Sequence, residues 1–345
     1  MQRLALLDYG RFFSALSVVF FHYFYYGIAH GKIATLNHTW FAEIASYGHF
    51  GVQFFFIISG YVIFFSLKDK RAAAFLKSRL KRLYPTYWFA IIFTAFFIYL
   101  WGADTSITVT TKQILVNFTM LQNFVRVPNV DGVYWTLFYE IIFYGLVFTI
   151  LLFGNFKKLL AFLVVWPFLI IACNLVGKTF LIFNMYFIFF VMGAMFALIK
   201  NGNISRKVSI FVLIVSSIVG FYHTYTLSLE KEHSILIVAL IYSAILMFFS
   251  LLNVEKYREI NLPFAKDLGG ITYPLYLIHA YFGYLFLSQF ANPSNIWVMY
   301  PLLIAIVLVV SWLLWYMIEV KQANFWHKFF SFTIKPIEKL ETKLN

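Results

Sequence analysis

Ten stretches of this chain are apolar for long enough to cross a bilayer. They lie near 12–28, 48–66, 84–101, 133–153, 157–174, 180–200, 208–226, 234–252, 269–290 and 297–319. A spanning helix needs about 17–25 such residues to match a hydrocarbon layer roughly 30 Å thick. Backbone polar groups in that layer must be satisfied within the segment, so each stretch is read as a helix. Hydrophobic residues make up 62% of the chain and charged residues only 12%, about half the usual share in a water-soluble domain. The expected fold is all-α: a polytopic membrane helix bundle of about ten transmembrane helices. Asp8 and Arg11 abut the first apolar run, and no small-residue cleavage pattern follows it, so that run reads as a retained helix rather than a leader.

Charge orients the bundle. With the N-terminus inside, 22 of the 27 basic residues fall on inner segments. The outer loops hold only Lys32, Lys112, Arg126, Lys178 and Lys231. Lys and Arg collect on the cytoplasmic side of short loops, so both termini are expected to be cytoplasmic. The net charge of +13 is then explained by contact with anionic lipid, and nucleic acid is not needed as a partner. Residues 1–320 read as one transmembrane domain, and 321–345 as a short, basic, amphipathic cytoplasmic tail that lies on the membrane. The single cysteine, Cys173, allows no internal disulfide. No HExxH or clustered Cys/His pattern supports a metal.

Several ionisable residues fall inside these stretches, where they are costly and point to function by default. Arg11 and His22 are eleven residues apart, nearly three full turns, and so share a helix face. Counting the rise per residue puts His22, His279 and Glu140 in one central band. Tyr276 and His279 are three residues apart, with Tyr273 one turn earlier, so one face presents all three. At the inner edge Arg79 and Arg82 point one way. With Arg11 they form a phosphate cradle, since guanidinium groups bind phosphate bidentately, or they are the ordinary basic signal of an inner loop. The outer stretch from Gln122 to Trp135 mixes amide, carboxylate and aromatic groups that suit sugar hydroxyls, or a wet loop.

The motifs fall in a recognisable order. Leu7-Asp8-Tyr9-Gly10-Arg11 leads to His22, and Gly51 to Tyr61 carries paired phenylalanines and Ser59-Gly60. Arg79-x-x-Arg82 precedes Tyr84-Pro85. Trp135 to Glu140 is followed by Phe143-Tyr144, Ile271 to His279 comes next, and Glu319 closes the last helix. In this set and order the chain resembles the membrane-bound acyltransferase 3 family, whose members acylate cell-surface carbohydrates. It departs from the family pattern at Gln53, Pro274, Tyr9-Gly10 and the missing proline after Glu319, which bears on subgroup and acceptor more than on chemistry.

The resemblance implies an inner-membrane, acyl-CoA-dependent O-acyltransferase, with acetyl-CoA as the default donor. Arg79 and Arg82, with Tyr273 and Tyr276, would hold the donor. His22 would be the general base, and Arg11, His279 and Glu140 would complete the catalytic set. His279, Tyr273 or Tyr276 would supply an oxyanion donor. The implied partners are a carbohydrate acceptor on the outer side, membrane lipid and, as an open case, a second copy of the chain. The competing reading is an exporter or flippase of a lipid-linked sugar, though the corresponding half-repeats common in transporters are not found.

Overall fold

The structure is a computed structural model that describes residues 4–67, 71–179 and 181–344. Arg3, Lys68 and Lys70, counted above among the inner basic residues, and position 180 lie outside the described residues. About 80% of the chain is helical, with no strand among the described residues. The membrane helices are α1 (Ala5–Phe20), α2 (Gly51–Ser66), α3 (Ala72–Trp101), α4 (Trp135–Phe153) and α5 (Phe156–Leu175). They continue as α6 (Phe187–Asn201), α7 (Arg206–Leu229), α8 (Ile235–Leu251), α9 (Ala265–Phe290) and α10 (Ile296–Leu314), and the tail forms α11 (Ala323–Leu344). Counted with their short flanking turns, seven of the helices are long and apolar enough to span by themselves.

The other three have physical reasons to fall short. α6 and α8 have 15 and 17 residues. α9 is long but carries Lys266, Asp267, Thr272, Tyr273, Tyr276 and His279. It is encased by other helices over most of its length, so it meets protein rather than lipid and need not be apolar. The ten expected spans correspond one for one to these helices, with shifted ends. α1 and α3 start seven and twelve residues before the predicted spans, because each continues into the basic interface. α6 starts later than predicted. The connection before it is pinned to α5, where Trp166 donates to the Ile182 carbonyl at 2.8 Å and Asn174 to the Phe183 carbonyl at 2.9 Å.

α2 and α6 cross at the centre, and two glycines set their approach. A Cβ on Gly60 would run into the main-chain oxygen of Phe190, and one on Gly193 into that of Ile57. Such small-residue crossings let membrane helices gain van der Waals contact where no hydrophobic drive exists between them.

Two helices widen into π turns, at Phe21–Tyr26 directly after α1 and at Trp315–Lys321 directly after α10. One carries His22 and the other Glu319. The tail is docked as well as amphipathic. Trp326 and Phe330 pack against Leu80, Tyr84 and Trp88 of α3. The Glu341 carboxylate accepts from the main-chain N–H groups of Ala72 and Ala73, at 2.6 and 3.2 Å. It thereby caps the N-terminus of α3, where a negative charge also meets the helix dipole. Phe325, Phe329 and Phe332 remain exposed on the opposite side, a face suited to the bilayer surface.

Candidate active site

Three cavities lie in series. A vestibule of about 370 Å³ at the basic end is lined by Arg11, Ser78, Arg79, Lys81, Arg82, Glu319 and Trp326. It shares Arg11, Arg79 and Arg82 with an inner cavity of about 130 Å³, which adds Ser59, Glu140, Tyr144, Tyr273 and Tyr276. An outer cavity of about 240 Å³ is lined by His22, Tyr26, His49, Gln53, Trp135, Tyr276 and Tyr284, among others. Val52 and Tyr276 line both the inner and the outer cavity, so they form the partition between them.

α1 carries Arg11 to the inner cavity, and the π turn that follows it carries His22 to the outer one. The expectation that they share one face therefore holds only along the helix. The cavities are separate, and the π turn begins just before His22. π turns are rare and frequent at functional sites. His22 Nδ1 shares a hydrogen bond with the hydroxyl of Tyr284, a buried residue of α9. The His22 ring centroid is 5.0 Å from that of His279, edge to face.

His279 is fully buried. Its Nδ1 lies 2.8 Å from the Tyr276 carbonyl and 3.1 Å from that of Leu275. A carbonyl can only accept, so Nδ1 carries the proton and Nε2 is left with a lone pair. Nε2 has no hydrogen-bond partner. A neutral His279 therefore offers an oxyanion no proton at Nε2. It stands instead as a bare acceptor beside His22, and this corrects the expectation of a donor there. Two side chains fix the surrounding turn: Tyr23 donates to the His279 carbonyl at 2.8 Å, and Asp131 accepts from the Tyr281 N–H at 3.0 Å.

Tyr276 sits at the partition. Its hydroxyl is 2.7 Å from Thr136 Oγ1 and 3.1 Å from the Val133 carbonyl. Tyr273, one turn back, donates to the Leu83 carbonyl at 3.1 Å and lines only the inner cavity.

Glu140 does not share a cavity with His22. It lines the inner cavity and accepts from Ser59 Oγ at 2.7 Å and from the Tyr144 hydroxyl. Counting rise from the helix start gave its depth but not its direction. The side chain turns towards α2 and the arginines.

The arginines do converge. Arg82 pairs with Glu319, whose other oxygen accepts from Thr86 at 3.0 Å. The Arg82 guanidinium also lies 5.4 Å from the Tyr273 ring centre. Arg11 pairs with Asp8 at 3.7 Å. Arg79 has no carboxylate within 4 Å among the described residues; it packs on the rings of Phe75 and Tyr144, and its Nε has no partner. Among the described residues Arg79 donates only to its neighbour Ser78, at 2.9 Å, whereas Arg82 is held in place by Glu319.

Residues 4–316 match the acyltransferase domain of the acyltransferase 3 family, nearly the whole chain. The chain belongs to that family. It is a multi-pass integral membrane acyltransferase. No curated protein and no solved structure matches it.

Within this family member, sequence reading missed Tyr284 and His49; Tyr144 entered only as part of a motif and Asp131 only as part of the outer stretch, neither with a role of its own. Tyr144 follows Glu140 by four residues, a helical spacing that could have exposed it. Tyr284 follows His279 by five, which puts it off the same α-helical face, and no periodicity announces it. Of the polar groups of 122–135, read as candidate sugar contacts, several are engaged locally, while Gln122 Oε1 and the Tyr134 hydroxyl are buried without a partner among the described residues. Gln122 donates to the Asn129 side chain at 2.7 Å, Asn117 to the Pro128 carbonyl at 2.9 Å, and Asp131 accepts from the Val133 N–H at 3.1 Å. Only Gly132, Val133 and Trp135 of this stretch reach the outer cavity.

Proposed function

We propose that the protein moves an acyl group, acetyl by default, from cytoplasmic acyl-CoA to a hydroxyl of a carbohydrate on the outer side of the inner membrane. The observation that carries this reading is the series of cavities: arginines at the basic end, His22 in the outer cavity, and one shared tyrosine between them. The CoA phosphates meet Arg79 and Arg11, with Arg82 braced by Glu319, because charge-assisted guanidinium–phosphate bonds are short and bidentate. The pantetheine arm passes along the inner cavity and presents the thioester at Tyr276. Residues 1–320 form this transferase domain, and 321–345 form its cytoplasmic tail.

His22 acts as general base from the outer side. It takes the proton of the sugar hydroxyl as the hydroxyl oxygen attacks the thioester carbon. Tyr284 holds the imidazole through Nδ1, as the third member of a triad holds its histidine. The negative charge that develops on the thioester oxygen is met by Tyr276, once its hydroxyl turns from Val133. The C–S bond then breaks, and the proton on His22 passes to the departing CoA sulfur. The ester and free CoA are the products. Glu140 orders the inner cavity through Ser59 and Tyr144.

The test uses purified protein, labelled acetyl-CoA and an acceptor glycan. The parent should form labelled ester, and His22→Ala should lose about 10²–10⁴-fold in rate while still binding CoA. Transfer at the parental rate by His22→Ala would remove the base. Absence of transfer from any acyl-CoA, together with glycan movement across vesicles, would favour the exporter.

A further inference from the structure

Positive charge is disfavoured on the outer side of a membrane protein. The outer loops here carry five basic residues, Lys32, Lys112, Arg126, Lys178 and Lys231. Two of the five, Lys32 and Lys231, come from loops far apart in sequence and line the same outer cavity as His22. Both side chains are half-buried. Neither has an ion pair among the described residues, and the only hydrogen bond the Lys32 ammonium makes there is a long one to Ser106, at 3.4 Å.

The outer acids are placed the other way. Glu43, Asp104, Glu230 and Glu232 are exposed on the surface, and none lines the cavity. Asp131 is buried next to it, but both carboxylate oxygens accept main-chain N–H groups, from Val133 and Tyr281. The cavity therefore presents two ammonium groups and no carboxylate. Half-burying two like charges without a counter-charge is costly unless a ligand supplies one.

The remaining lining adds hydroxyl recognition. His49 donates from Nδ1 to the Ser46 carbonyl at 2.8 Å, so Nε2 is an acceptor, buried and without a partner. Trp135, Tyr186 and Tyr281 provide ring faces for a sugar.

We propose that the acceptor is anionic: a glycan bearing carboxylate or phosphate, whose charge is held by Lys32 and Lys231 while a neighbouring hydroxyl reaches His22. This rests on the acyl-transfer reading for the reacting hydroxyl, but not for the binding of the anion.

Three probes separate the cases: an oligosaccharide containing glucuronate, the same oligosaccharide with its carboxyls reduced to alcohols, and a glycerol-phosphate oligomer. Binding to purified protein is measured first, then transfer from labelled acetyl-CoA. At least one anionic probe should bind roughly tenfold or more tighter than the neutral one, the size of effect expected for a charge-assisted contact. The preference should shrink as KCl rises from about 50 to 500 mM, because salt screens partly exposed charges. It should fall towards unity in Lys32→Gln/Lys231→Gln. Which anionic probe binds tells carboxylate from phosphate. Equal or better binding of the neutral probe overturns the proposal, as does a preference unchanged in the double variant. Charge-selective binding through the lysines without any transfer would sustain this proposal and remove the acyl-transfer reading.

Discussion

Removing the Tyr284 hydroxyl tests whether His22 works as an oriented base. Tyr284→Phe keeps the ring, so the packing against His22 and Gly27 is retained and only the bond to His22 Nδ1 is lost. The hydroxyl is buried, with Tyr284 only 1% exposed, and water does not readily take its place. A buried nitrogen left without its partner costs about 1–3 kcal/mol. At roughly 1.4 kcal/mol per tenfold, transfer should slow about 5- to 150-fold if the bond persists into the transition state. The informative measurement is a double-mutant cycle on the single-turnover rate, with saturating labelled acetyl-CoA. His22→Ala alone should cost about 10²–10⁴-fold. Once the imidazole is gone, the hydroxyl has nothing to orient. The double variant should therefore be no slower than His22→Ala, and the coupling energy should equal the whole loss seen in Tyr284→Phe. Tyr242→Phe serves as the control, since it removes a buried hydroxyl that bonds the Ser217 carbonyl at 2.8 Å, outside the three cavities. Strictly multiplicative losses in the double variant, or a parental rate in Tyr284→Phe, would refute the orienting role.

Four further outcomes follow from the geometry. Arg79→Ala should weaken CoA binding by about 1.5–3 kcal/mol, measured by calorimetry; Arg82→Ala should do the same and also lower the melting temperature, because it strands Glu319, and adding Glu319→Gln should restore stability without restoring binding. Gly193→Val should force α2 and α6 apart against the Ile57 carbonyl, and gel filtration in detergent should show aggregation rather than a folded, inactive monomer. Burial pushes the Asp131 carboxyl up to about 7, even though two main-chain N–H groups favour its charged form. Between about 4, where it titrates in the unfolded chain, and 7, the folded protein keeps a proton that the unfolded chain has released; stability should therefore decline as pH rises through that window, and Asp131→Asn should flatten the decline in thermal melts. Tyr276→Ala should open the partition, and acetyl-CoA hydrolysis without acceptor should rise above the parental background as water reaches the thioester.

The spans could be read in the sequence because the bilayer demands a long apolar run for every crossing. Even α9, too polar to pass as a membrane helix by composition, was bracketed by its flanks. The early starts of α1 and α3 were not legible, since helix and basic interface carry the same residue types there. Helix spacing paired Arg79 with Arg82, but that Arg11 joins them was one of two open readings, and the structure brings the three together. The direction of Glu140 did not follow. Depth along a helix is set by counting, but direction depends on which helices are neighbours, and no single chain position records that. The π turns escaped for a related reason. Six consecutive ring residues from Phe21 to Tyr26 give no periodic signal to distinguish a 3.6-residue turn from a wider one.

Keeping the inner and outer cavities apart solves a problem that an open channel would create. In the proposed mechanism donor and acceptor come from opposite sides, yet a permanent passage through the midplane would leak protons and ions and let water at the thioester. The Tyr276 hydroxyl, tied to Thr136 and Val133, stands with Val52 between the two cavities. It is held there by bonds worth about 0.5–1.5 kcal/mol each, small against the binding energy of a nucleotide donor. Arrival of the thioester can therefore turn the hydroxyl from the Val133 carbonyl to the developing oxyanion. In the proposed mechanism the group that separates the two cavities then stabilises the transition state, so that the passage would open only while the substrate itself fills it. The two π turns fit this division. One presents His22 to the outer cavity, and the other presents Glu319 to Arg82 at the vestibule, so each cavity has its polar groups aimed by a local widening of an otherwise regular membrane helix.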